Sequence, residues 1–469
     1  MVALPLAMVL GPLTVLFLSV VFIIAAIAWL RLHAFFALIF AAMLVGLLTV
    51  AGQTGDGRFI KTIESVMVEF GKSAGTIGFT IAIASVIGVA LMESGAADKI
   101  IRRFIAVLGE KRAALALLAC GFVLAIPVFF DTVFFLLVPL ARALSLRTGK
   151  NYMLYVLAIC AGGVITHSTV PPTPGPLVVA ETLKLDLGLT IVGGIIFGLI
   201  PALVGLWFAR WINARLPVPV RETSGSTLAS LQEVSSRREE DLPGFWVSIA
   251  PVLLPVVLIS VASTMGTMRS AIAPGVAQTI DFFGNKNIAL LIGAVIALAV
   301  YARQKKIGIR QLGDGLGPPL EVAGVIILIT AAGGAYGAMI RNAGVGDSVR
   351  ALAGDNAVNY VLLAWVLAAV IRVAQGSATV AMITSASIML SIAGPAGFGV
   401  HPIYVFFAIG YGATVLSWMN DSGFWVISRL GGLTEGETLR SWTVLLTVIS
   451  IVGLIQALIF AALWPNLWF

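Results

Sequence analysis

One arginine and two aspartates stand inside long apolar runs of this chain, each where helix-breaking or hydroxyl residues interrupt the run. Asp131 sits in Ala125-Ile-Pro-Val-Phe-Phe-Asp-Thr132, Arg372 opens Arg372-Val-Ala-Gln-Gly-Ser-Ala-Thr379, and Asp421 lies in Ser417-Trp-Met-Asn-Asp-Ser-Gly-Phe-Trp425. A fourth interruption, Thr166-His-Ser-Thr-Val-Pro-Pro-Thr-Pro-Gly-Pro176, adds a histidine and a run of prolines. Polar groups at membrane depth cost several kcal/mol unless satisfied, so they mark pathways or sites. Each break frees backbone groups from helical pairing. The N-termini of half-helices then offer donors to an anion, while carbonyl and hydroxyl oxygens can hold a small cation. Arg372 suits bidentate capture of a carboxylate, or else a structural pair with Asp131 or Asp421. Either aspartate could carry a proton or cap a half-helix. His167 could titrate near neutral pH or serve as a hydrogen-bonded structural group. The chemistry indicated is recognition of a small carboxylate and movement of a proton or cation. Its candidate residues are Asp131 and Thr132; Thr166, His167, Ser168 and Thr169; Arg372, Gln375, Gly376, Ser377 and Thr379; and Asn420, Asp421, Ser422 and Gly423.

The elements that must hold these residues are membrane helices. Of 469 residues 59% are apolar and only 11% charged, against about 25% charged in a soluble domain. Too few charges remain to cover a soluble surface, so most of that surface faces lipid. The first run, Pro5 to Leu30, has no cation ahead of it and is too long for a secretory signal, so it reads as a span. Further spans are expected at 34–51, 74–92, 187–209, 245–264, 287–302, 319–340 and 438–464. Segments 112–145 and 357–391 read as hairpins that turn back before crossing, and 152–183 and 401–430 as crossing helices broken midway.

Cations test the orientation. With the N-terminus outside and each hairpin returning to its starting side, only Arg58, Lys61, Lys72, Lys184, Arg269, Lys286, Arg341 and Arg350 fall outside. Twenty of the 29 Lys and Arg residues fall in the cytoplasm, and Arg372 stays within its apolar segment. Both termini are then expected outside, in an inner-membrane protein. The polar stretch 213–243 reads as a cytoplasmic linker between halves 1–212 and 244–469. At an offset of 249, Gly88, Gly95 and Asp98 fall on Gly337, Gly344 and Asp347, and each half repeats the order arm, hairpin, broken helix, span. The second half begins on the opposite side from the first. The expected fold is therefore all-α and polytopic, with two inverted repeats and a site at the midplane between them.

Other classes find no support. Cys120 and Cys160 are too few for a disulfide scaffold and lack metal spacing. There is no P-loop and no nucleophile elbow, so neither enzyme nor cofactor is expected. The +7 net charge follows topology and gives no case for nucleic acid. A sodium-coupled carrier stands beside a proton-coupled one, since hydroxyl-rich breaks suit either ion.

At these motifs the chain resembles the gluconate:proton symporter (GntP) family of the ion transporter superfamily. The resemblance rests on Leu91-Met-Glu-Ser-Gly95, Phe129-Phe-Asp131, Thr166-His167, Pro171-Pro-Thr-Pro-Gly-Pro176, Arg372-Val-Ala-Gln-Gly-Ser-Ala-Thr-Val380 and Asn420-Asp-Ser-Gly-Phe-Trp425. It implies proton-coupled uptake of gluconate or a related small hydroxy or amino acid by a homodimer with an elevator-like motion. Two positions depart from the family's usual pattern: Trp418 replaces a His, and Asp131 replaces a Glu.

Overall fold

A computed structural model describes residues 11–50, 58–221, 239–267, 273–345, 348, 359–394, 397–419 and 421–466. The first half contains α1 (Pro12–Ala28), α2 (Ala34–Val50), α3 (Arg58–Glu93), α4 (Ala96–Leu108), α5 (Ala113–Leu124), α6 (Phe130–Thr148), α7 (Tyr152–Thr169), α8 (Pro174–Thr182) and α9 (Leu187–Arg215). The second contains α10 (Phe245–Thr267), α11 (Pro274–Gly284), α12 (Lys286–Lys305), α13 (Ile309–Asp314), α14 (Gly317–Asn342), α15 (Tyr360–Gln375), α16 (Ala378–Ala393), α17 (Pro402–Gly412), α18 (Ser422–Gly431), α19 (Glu435–Thr438) and α20 (Val444–Leu463). One π turn, Leu439–Thr443, joins α19 to α20. Among the described residues six helical runs are long and apolar enough to cross a bilayer, and α3, bent by 43°, makes a seventh if counted as one span.

The four interruptions fall between helices. Segment 112–145 folds as α5 and α6, and 357–391 as α15 and α16. Segment 152–183 folds as α7 and α8, and 401–430 as α17 and α18. The first helix of the first hairpin is too short to cross. α5 has 12 residues and reaches about 18 Å at 1.5 Å per residue, well under the roughly 30 Å of the hydrocarbon core. The chain turns at Pro127 and at Gly376, whose φ of 85° is left-handed and closes α15.

Helices cross closely where side chains vanish. A Cβ on Gly121 would lie 2.7 Å from the carbonyl of Ile159, and one on Gly162 would meet the carbonyl of Leu118, so α5 and α7 touch backbone to backbone. α16 rests on α14 through two serines: Ser387 Oγ donates to the Gly333 carbonyl and Ser391 Oγ to the Gly337 carbonyl, each at 3.3 Å.

The π turn and α20 form a column of about 37 Å, and its two ends fix the direction of its neighbours. At the α19 end, Tyr152 Oη donates to the Gly431 carbonyl (2.7 Å) and Arg142 Nη2 to the Arg221 carbonyl (2.6 Å). The start of α7, the end of α18 and the chain leaving α9 meet there. At the far end, the His401 N–H donates to the Pro465 carbonyl and Tyr404 Oη to the Trp464 carbonyl, both at 2.7 Å. The broken pair α7–α8 thus starts at the α19 end, and α17–α18 finishes there.

A clasp secures the α19 end. Arg221 grips Glu437 with both Nη atoms (2.6 and 2.8 Å), and the Thr434 N–H donates to Glu437 Oε2 (2.8 Å) in a capping box. These hydrogen bonds, Arg221's first, hold the Glu437 carboxyl down at about 2, below its ordinary 4.5. A depressed carboxyl stabilises the fold fully above 4.5, and that contribution fades as pH falls toward 2. Glu437→Gln should therefore cost about 1 kcal/mol at pH 7, modest because Arg221 is reached by solvent. Thermal unfolding in detergent should show the gap to the native protein narrowing below pH 4.5; a gap independent of pH would refute the clasp.

Candidate functional site

The second hairpin and second broken helix meet in one buried network. Arg372, in the last turn of α15, points Nη1 at the carbonyl of Gly376 and Nη2 at Asp421 Oδ2. The first bond caps the C-terminus of α15, where cations are favoured; the second forms an ion pair whose side chains are 4% and 9% exposed. Asp421 is the N-cap of α18 and accepts from the Gly423 N–H through Oδ1 (3.0 Å). Of the two aspartates only Asp421 caps a half-helix, and Arg372 takes Asp421 rather than Asp131 as its partner. Among the described residues Arg372 keeps one donor, Nε, buried with no hydrogen-bond partner. Ser377, N-cap of α16, accepts from the Val380 N–H (3.3 Å), and Thr379 is half-buried in the first turn. Ser422 is exposed and Gly423 buried. Asn420 lies outside the described residues.

The first-half candidates form a second group. Asp131 is exposed in the first turn of α6, where the helix dipole favours a negative charge, with Thr132 half-buried beside it. No hydrogen bond or ion pair among the described residues engages Asp131, yet it lies within electrostatic range of both Asp421 and Arg372. His167, in the last turn of α7, packs edge-on to Phe129 at 6.2 Å, and its Nδ1 is buried without a partner. Thr166 Oγ1 and Ser168 Oγ are buried and unpartnered too, whereas Thr169 Oγ1 donates to the Ile165 carbonyl (2.7 Å). The two broken helices cross here: a Cβ on Gly410 of α17 would come within 2.5 Å of the Ser168 carbonyl.

Three residues outside the candidate set hold the breaks in shape. Thr173 Oγ1 donates to the carbonyls of His167 (3.1 Å) and Val170 (2.8 Å), which the break at 170–173 leaves free of helical partners. Trp418, 42% exposed, donates its indole N–H to the Val373 carbonyl (3.0 Å), tying the second break to α15. Ser417 donates to Asp421 Oδ2 and accepts from the Trp442 indole N–H (2.7 Å). Thr173 and Ser417 lay within the polar strings and had a visible signal. Trp442, 2% exposed, had none beyond its polar neighbours Arg440, Ser441 and Thr443.

The arrangement offers a cationic donor held by an acid, a second acid that no described residue pairs, and buried hydroxyls on the helices that border the breaks. Buried polar atoms without partners are rare, and each calls for a physical reason. Here six of them, Thr166 Oγ1, His167 Nδ1, Ser168 Oγ, Arg372 Nε, Thr384 Oγ1 and Ser385 Oγ, lie on the helices that border the breaks.

Comparisons with known proteins show a family from sequence and a shared fold from structure. The model of the GntP family permeases matches residues 11–463. A gluconate permease of Pseudomonas aeruginosa is 34% identical over 449 residues, covering 94% of this chain and 95% of that one. An uncharacterized permease of Haemophilus influenzae is 31% identical, covering 97% and 93%. The Gnt-II system L-idonate transporter of Escherichia coli is 30% identical, covering 95% and 98%. Among solved structures, Neisseria gonorrhoeae MtrF, described as one of a class of antimetabolite efflux pumps, superposes with a TM-score of 0.66 at 14% identity, covering 93% of this chain and 96% of that one. The Alcanivorax borkumensis YdaH transporter gives 0.63 at 12%, covering 92% and 98%. At such identities the likeness is one of fold, that of an all-helical, multi-pass membrane protein.

Proposed function

The chain belongs to the GntP permease family, a family of transporters and not of enzymes, and on that premise we propose that it carries gluconate or a related small sugar acid into the cell with a proton. The observation that carries the reading is the pairing at the two breaks: among the described residues, Arg372 has one buried donor unclaimed and lies within electrostatic range of Asp131, an aspartate that none of them pairs. The arginine receives the carboxylate at Nε while Asp421 holds its fork. Thr166, His167, Ser168 and Thr169 from the first break, with Thr132, Gln375, Gly376, Ser377, Thr379, Asn420, Ser422 and Gly423, line the place where substrate sits. Asp131 takes the proton, with His167 as second candidate.

The architecture is two inverted repeats, 1–212 and 244–469, joined by a linker at 213–243. The opposite running of α7–α8 and α17–α18 along the α20 column supports it. The protein works in the inner membrane as a homodimer with both termini outside, and moves its hairpin part in an elevator-like manner. A sodium-coupled carrier is the second reading, favoured by the buried unpartnered hydroxyls of Thr166, Ser168, Thr384 and Ser385. Uptake of labelled gluconate into proteoliposomes decides. Accumulation under an inward pH gradient, unchanged by sodium, is expected; accumulation under a sodium gradient alone would transfer the case to the second reading.

A further inference from the structure

Trp442 is among the largest fully buried side chains of the molecule, and it sits in the single π turn among the described residues. Such turns interrupt the regular hydrogen-bond ladder and rotate a side chain out of helical register. Two features of this turn's surroundings converge on the second break. The Trp442 indole N–H donates to Ser417 Oγ at 2.7 Å, and Thr443 Oγ1 donates to the Ser417 carbonyl. The Ser417 hydroxyl, its lone pair occupied by the indole, is left with its proton aimed at Asp421 Oδ2, the oxygen that also receives Arg372. On its other side the indole stacks on Phe130, ring centroids 5.4 Å apart at 17°. Phe130 precedes Asp131 in the first turn of α6. Its ring is itself confined, because a Cβ on Gly163 of α7 would meet it at 2.9 Å.

We propose that Trp442 is a positioning residue for transport: braced against Phe130 of the first hairpin, it orients Ser417 and through it Asp421, so that Arg372 presents its donors in a fixed place. The indole touches no substrate. It sets which of the Asp421 oxygens is shared and how far the guanidinium can turn. This deepens the proposed transport reading and rests on Arg372 as the anchor of the carboxylate. Losing the donor while keeping the ring should therefore weaken substrate binding and leave the turnover of the loaded carrier nearly intact.

The test pairs a transport arm with a substrate-free arm. In proteoliposomes, Trp442→Phe should raise the KM for exchange of labelled D-gluconate about five- to tenfold, the loss of one hydrogen bond into a charged network, with the maximal rate within about twofold. Ser417→Ala should do at least as much, and Trp442→Phe/Ser417→Ala no more than Ser417→Ala, since both act through one bond. In detergent without substrate, a cysteine at Ala378, half-buried at the tip of the second hairpin, is labelled by a maleimide in a background where Cys120 and Cys160 are alanine. Trp442→Phe should speed that labelling about threefold or more, as the tip opens more often. Native KM with native labelling, or additive effects of the two substitutions, would overturn the role of Trp442. If the native protein exchanges no gluconate, the transport reading fails. The labelling arm then decides alone: faster labelling supports the positioning and an unchanged rate refutes it.

Discussion

Arg372→Lys should raise the KM for gluconate at least about tenfold while the protein still folds. Lysine keeps the charge and loses the planar fork. In the native site that fork serves two masters at once, the Gly376 carbonyl and Asp421, and keeps Nε for a third. An ammonium group on a flexible stem cannot hold all three directions. One charge-assisted hydrogen bond is worth about 1.5–3 kcal/mol, or roughly ten- to a hundredfold in affinity. Asp421→Ala should behave differently. It leaves a guanidinium buried with no counter-charge, at a cost of about 3–5 kcal/mol, and it uncaps α18. Thermal unfolding should register that loss before any transport assay does. Near-native affinity in Arg372→Lys would exclude Arg372 as the anchor; equal destabilisation in both variants would reduce it to a structural pair.

Asp131→Asn should bind substrate and exchange it, yet fail to concentrate it under a pH gradient. A carboxylate beside an anionic substrate repels it unless protonated, so proton and substrate favour each other's binding, and by linkage the effect is mutual. Asparagine mimics the protonated form permanently. Native binding should strengthen as pH falls, and Asp131→Asn should lose most of that dependence. Among the described residues, Asp421 and Arg372, already paired with each other, lie within electrostatic range of Asp131, and His167 packs against Phe129, two residues before it. Accumulation under a pH gradient that survives in Asp131→Asn and fails in His167→Ala would move the proton to His167.

The breaks were legible in the sequence because proline and glycine act locally. Pro127 lies between α5 and α6, Pro171 and Pro172 lie between α7 and α8, and the Gly376–Ser377 pair closes α15 and caps α16. Pro139, Pro201, Pro251 and Pro255, without polar neighbours of that kind, stay inside helices. Arg372 was legible as an anomaly, a cation in an apolar run. Its partner was not: Asp131 and Asp421 were equal candidates, and the choice depends on how the second break is brought beside the second hairpin, 49 residues away. Trp442 was silent because polar residues at the start of a span, here Arg440, Ser441 and Thr443, read as the ordinary end of a membrane helix. Only the π turn, itself invisible in composition, turns its N–H toward Ser417. Spans 74–92 and 187–209 were read short at their ends, since α3 starts at Arg58 and α9 ends at Arg215. Polar residues that continue a helix past the apolar core look like loop to a hydropathy reading.

The seam between α14 and α16 repeats itself. Its two serine-to-carbonyl contacts, Ser387 to Gly333 and Ser391 to Gly337, are spaced by four residues on both helices. Sliding α16 by one turn, about 5.4 Å, brings Ser387 level with the Gly337 carbonyl. The glycines along that face present no side chain to climb over. In mechanical terms the seam is a rack of only two teeth: a whole-turn slide would keep one contact and set Ser391 against Arg341, whereas a slide by a fraction of a turn would break both.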